Sequence, residues 1–130
     1  MNQRLDSLPL RSPLQALLID LLFGVGLGIA STFSWIAVCM TYETHEAWDR
    51  GVYFVVLLPI LWSSSALAAS RRPKHAWCWA AVLVAGQALG LGITNHGWGT
   101  LGPLPLVALA VLCGPCFIAA NWAAKRALGR

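Results

Sequence analysis

Four long apolar runs constrain the fold of this chain more than any other feature. They extend from Leu14 to about Met40, from Gly51 to about Ser70, from Ala76 to about Thr94 and from Pro103 to about Ala124. A helix needs about 20 apolar residues to cross the hydrocarbon of a bilayer. No water meets the backbone there, so its N–H and C=O groups must pair within the segment, as a helix does. The expected fold is an all-α integral membrane protein. Its four transmembrane helices should form two hairpins in a single domain over residues 1–130. Charge content agrees. Charged residues make up 11% of the chain and mean hydropathy is +0.66, whereas a soluble domain carries about 25% charged residues.

Apart from Asp20, the few charges lie between and beyond the apolar runs. Arg4, Arg11, Arg71, Arg72, Lys74, Lys125, Arg126 and Arg130 fall on one side, and Arg50 alone falls on the other. The positive-inside rule then predicts cytoplasmic termini and a cytoplasmic loop Ser70-Arg71-Arg72-Pro73-Lys74-His75. A multi-pass protein of the bacterial inner membrane is the matching expectation. The opposite side carries Glu43, Glu46 and Asp49. Interfacial belts of aromatic residues are expected from Trp77, Trp79 and Trp122 inside, and from Trp35, Tyr42, Trp48, Tyr53 and Trp98 outside, with Trp62 deeper. The net charge of +4 does not indicate nucleic acid, because the cations are not gathered on one polar domain.

Local signals punctuate the runs. Ser12-Pro13-Leu14-Gln15 reads as a helix start, with Ser12 and Gln15 at capping-box spacing and Pro13 at the first helical position. The first run is too long for a signal-peptide core, and no small-x-small cleavage site follows it. Pro59 and Pro115 interrupt the second and fourth runs. Gly26-Leu27-Gly28-Ile29 and Gly90-Leu91-Gly92-Ile93 lie 64 residues apart. A duplicated hairpin, a device of transporters, would explain that. The plainer explanation is that these residue types are common in membrane helices.

Few side chains here suit chemistry. Asp20 is the one ionisable group well inside a run, and intramembrane acids are functional candidates by default. In outline the chain resembles the small multidrug resistance exporters, which are short, have four spans and carry an acid in the first. That resemblance implies a proton-coupled role for Asp20, and it extends to no further motif. Asp20 also lies near the start of its helix, where pairing with an inner lysine or arginine is the favoured reading. Gln87 sits mid-span and needs partners in hydrocarbon. It suits either a bond to a neighbouring helix or a polar substrate lining. Gly24/Gly28 and Gly86/Gly90 allow close helix packing, within the chain or with a partner.

Cys113-Gly114-Pro115-Cys116 spells a thioredoxin-type pair, and a CxxC in a fourth span is similar to the vitamin K epoxide reductases. Those enzymes use a second cysteine pair in an outer loop, which this chain lacks. A buried cysteine otherwise acts as a small hydrophobe. Glu43, His45, Glu46, Asp49 and His96 match no metal-ligand spacing, so no metal is expected. Haem is not expected either, because His45, His75 and His96 all fall outside the runs. No cofactor is expected.

With short loops and no catalytic set, the expected function is non-enzymatic. The chain should act by binding a membrane or periplasmic protein, as an accessory subunit or as an immunity-type protein against a membrane-acting toxin. Two alternatives stand beside it. One is a small homo-oligomeric proton-coupled transporter or channel using Asp20. The other is a membrane thiol oxidoreductase using Cys113 and Cys116.

Overall fold

A computed structural model describes residues 12–95 and 103–129. The basic lead before Ser12, the Gly-rich turn that holds His96 and Trp98, and Arg130 lie outside the described residues. Four helices dominate: α1 (Pro13–Tyr42), α2 (Leu58–Arg71), α3 (Ala76–Thr94) and α4 (Leu104–Ala127). All are long and apolar enough to cross a membrane when α2 is counted from Tyr53. The described residues contain no strand.

The start of α1 is built as its sequence suggests. Gln15 N donates to Ser12 Oγ and Ser12 N donates to Gln15 Oε1, both at 3.3 Å. With 30 residues, α1 is about 45 Å long at 1.5 Å per residue. That exceeds the roughly 30 Å of bilayer hydrocarbon, so α1 must tilt or protrude.

Pro59 sits inside the second span, at the point where a wide turn passes into the regular helix α2. One wide turn, Tyr53–Leu57, precedes it, and Leu58 N donates to Tyr53 O across five residues. A proline cannot donate and its ring crowds the preceding turn. A widened turn is a usual way for a helix to absorb that. Pro115 is carried inside a continuous α4. This helix runs past Ala124 to Ala127, so Lys125 and Arg126 occupy its last turn. Cations there are favoured by the exposed carbonyls of the helix end.

The main seams join alternate helices. α1 packs on α3, α2 packs on α4, and α3 also touches α2 and α4. At the acidic-loop end the Trp35 ring of α1 and the Tyr53 ring of the turn before α2 lie 5.6 Å apart, edge to face. Side-chain size accounts for this pairing. In lipid, helices associate where small residues let their backbones approach. α1 and α3 meet through Gly28, Ser31 and Gly86. Ser65, Ala68 and Ala69 of α2 and Cys116, Ala120 and Ala124 of α4 are all buried.

The aromatic belts need correction. Trp77 and Trp122 are exposed, but Trp35, Tyr53 and Trp79 belong to the core. The two indoles can be buried because each has an acceptor. Trp35 Nε1 donates to Thr94 Oγ1 at 3.2 Å, and Trp79 Nε1 donates to Arg72 O at 3.1 Å.

The glycines of α1 and α3 differ sharply in what surrounds them. A Cβ on Gly86 would lie 2.5 Å from Gly28 O, and one on Gly90 would lie 2.7 Å from Trp35 Cβ. A Cβ on Gly24 or Gly28 would meet Trp79 at 3.5 Å or Val82 at 3.2 Å. Gly26 has nothing within 4 Å. Gly26 and Gly90, matched in the internal sequence similarity, therefore have different surroundings. Alanine is the better helix former by about 1 kcal/mol, so Gly26→Ala should leave stability unchanged or raise it. Gly86→Ala should lower it, because overpacking against a backbone oxygen costs about 1–3 kcal/mol. Unfolding of each purified variant in mixed detergent and dodecyl sulfate measures both.

Candidate functional site

The polar groups of the apolar helices concentrate along the α1–α3 seam, which has a fixed parallel register. Gly24 faces Trp79, Gly28 faces Val82, Ser31 faces Gly86 and Trp35 faces Gly90. Three polar clusters occupy this seam at successive depths.

At the basic-loop end, Arg72 forms an ion pair with Asp20, with the two side chains 28% and 34% exposed. The Arg72 guanidinium also lies 5.2 Å from the centre of the Phe23 ring. Phe23 in turn meets Trp79 edge to face at 5.3 Å. α2 thus ends in a residue pair whose second arginine clasps α1, while the same residue's carbonyl accepts from α3. Asp20 is not isolated: it is a partly exposed partner of a basic-loop cation.

In the middle lies Gln87, fully buried. Its Nε2 lies 2.7 Å from Ser31 O, 3.0 Å from Ser31 Oγ and 3.2 Å from Ser34 Oγ. Ser31 Oγ donates onward to Leu83 O at 2.7 Å. Thr32 Oγ1 sits between Gly28 O at 3.0 Å and Gly86 O at 2.9 Å. Gln87 Oε1 has no hydrogen-bond partner among the described residues. The two ends of this amide are therefore unequal, with one crowded by acceptors and the other bare.

At the acidic-loop end, Thr94 Oγ1 accepts from Trp35 and lies 3.0 Å from His45 O. This ties the loop after α1 to the end of α3. Trp48 closes over Trp35, edge to face at 5.1 Å. Sequence inspection marked none of Ser31, Ser34, Thr32 or Thr94. A partial signal was present all the same: Ser31, Thr32 and Ser34 form a hydroxyl-rich stretch inside the apolar run of α1.

Cys113 and Cys116 lie apart from this seam, buried where α4 meets α2. All four cysteines but Cys78 are buried, and none is in a disulfide. Ser65 Oγ donates to Cys116 O at 3.0 Å. The Tyr53 hydroxyl lies near the Cys113 thiol and makes no hydrogen bond of ordinary geometry. A thiol pair that exchanges with a substrate needs partial exposure, and these two thiols have at most 1%. Among the described residues no three His, Cys, Asp or Glu side chains converge as metal ligands. His96 lies outside the described residues.

Comparison with protein-family models, with curated proteins and with solved structures gives no match for this chain. Its class therefore rests on its own features. Four apolar helices of spanning length, packed through small residues and internally paired polar groups, fit a multi-pass membrane protein.

Two outcomes follow from the seam. A double-mutant cycle over Asp20→Asn and Arg72→Gln should give a coupling of about 1 kcal/mol, the range of partly exposed pairs. Gln87→Leu should cost no more than about 1 kcal/mol, because it also removes the bare oxygen, and a buried unpaired acceptor is itself costly. Equilibrium unfolding in detergent checks both.

Proposed function

We propose that this chain is a non-enzymatic protein of the bacterial inner membrane, with its termini and basic loop in the cytoplasm. It acts by binding another membrane protein, as an accessory subunit or as an immunity-type protein against a membrane-acting toxin. The observation that carries this reading is the unpartnered side of α1. Only 11% of its apolar window is buried, against 39% for α3. Along that side Leu22, Gly26, Ala30 and Ala37 are exposed, and the space over Gly26 is open. Small residues spaced by four on a helix allow another helix to come within backbone distance. The occupant is a transmembrane helix of a partner protein.

The other two readings have weaker support. A proton-coupled carrier needs an acid free to exchange its proton, and Asp20 is held by Arg72. A thiol oxidoreductase needs an accessible sulfur, and Cys113 and Cys116 are buried.

Affinity purification in mild detergent tests the proposal. The wild-type chain should retain a membrane-protein partner, and Gly26→Leu should lose it while unfolding like wild type, since that side chain meets nothing in the chain itself. Recovery of the wild-type protein only as itself would sink the reading.

A further inference from the structure

A groove of about 760 Å³ runs along the α1–α3 pair, beside the seam, from Leu17 and His75 at the basic-loop end to Phe33 and Ile93 at the other. Its size is that of a ligand site, about 300–1,000 Å³. Its chemistry is one-sided. Along its length the walls are apolar, and the hydroxyl of Thr32 is spent on the carbonyls of Gly28 and Gly86. Charge appears only at the mouth. There Asp20 is neutralised by Arg72, and His75 is followed back along the chain by exposed Lys74 and, beyond Arg72, exposed Arg71. Among the described residues Arg71 and Lys74 form no ion pair.

We infer that this groove is a binding site for one anionic phospholipid, with an acyl chain along α1 and α3 and the phosphate at Arg71, Lys74 and His75. Length supports the assignment. Leu17 to Phe33, the length of the groove on α1, covers about 24 Å of helix, enough to take an acyl chain through the roughly 15 Å of one hydrocarbon leaflet. Charge selects the headgroup: exposed Lys74 adjoins His75 at the mouth, and exposed Arg71 adjoins Arg72, the partner of Asp20 there, with neither cation in an ion pair among the described residues. The same positive charge disfavours the chain's own lead before Ser12, which carries Arg4 and Arg11. The site is separate from the Gly26 side of α1, because Gly26 does not line the groove.

The experiment is native mass spectrometry of the full chain released from bilayers of equal phosphatidylglycerol and phosphatidylcholine with identical acyl chains. The wild type should retain one phosphatidylglycerol in preference to phosphatidylcholine by more than about tenfold, since a basic residue at the surface contributes about fivefold. The surface variant Arg71→Gln/Lys74→Gln should still hold lipid but lose that preference. Ala85→Phe, which fills the groove from an exposed position, should hold neither lipid. Equal retention of the two lipids by wild type would overturn the inference. So would undiminished phosphatidylglycerol on Ala85→Phe, which would place the lipid on the loop alone. A lipid-free dimer, or a lipid-free monomer destabilised by Leu5→Ser/Leu8→Ser, would assign the groove to a second copy or to the chain's own lead, and would equally overturn it.

Discussion

The close approach of α1 to α3 at Gly28 and Gly86 is the contact on which the rest of the structure depends. Lipid gives two helices no hydrophobic reason to associate, so dispersion contacts and hydrogen bonds between them must suffice. Both demand short distance. Because Gly86 has no side chain, the Gly28 carbonyl can lie where a Cβ would be. At that separation Ser31 reaches the Leu83 carbonyl, Thr32 reaches the Gly86 carbonyl, and the Gln87 amide reaches back to Ser31. The register set at this point also aligns the ends. It brings Asp20 to Arg72 at one end and Trp35 to Thr94 at the other.

That register changes the meaning of the polar residues. Asp20, for which the sequence favoured pairing with a basic residue over proton carriage, is beside Arg72 one half of an inter-helix clasp reinforced by Phe23 and Trp79. Gln87 suited a bond to a neighbouring helix or a substrate lining, and its donors are taken by Ser31 and Ser34. Cys113 and Cys116 look like a redox pair, yet they pack against α2 beside Ser65 and Tyr53. Once these groups are accounted for, α1 remains the least buried of the four helices, with open space around Gly26 and a groove shared with α3. A helix anchored chiefly to one neighbour has surface to offer to protein and lipid alike.

Solvent preference was legible in the sequence, and facing was not. In water a helix declares its buried face by an apolar stripe. In lipid the outward and inward faces are both apolar, so Leu22, which is exposed, and Leu83, which is buried, carry the same signal. For this reason Trp35, Tyr53 and Trp79 read as interfacial from their positions near segment ends, although each lies in the core. The helix α4 continues a turn past the end of its apolar run. Lys125 and Arg126 look like a stop, but the exposed carbonyls of the helix end favour cations in its last turn. Pro59 was visible as a breaker, while the wide turn that absorbs it was not, because that turn is a backbone response spread over several residues.

The sequence by itself determined the number of apolar helices, the cap at Ser12 and the separation of basic from acidic loops, because length, local hydrogen bonding and charge act within a segment. The tertiary structure alone decided which helices pair, which glycines are under compression and what Asp20 and Gln87 bind. Those outcomes depend on contacts between residues more than fifty positions apart. In hydrocarbon they are selected by the fit of one helix surface to another, and no local pattern records that fit.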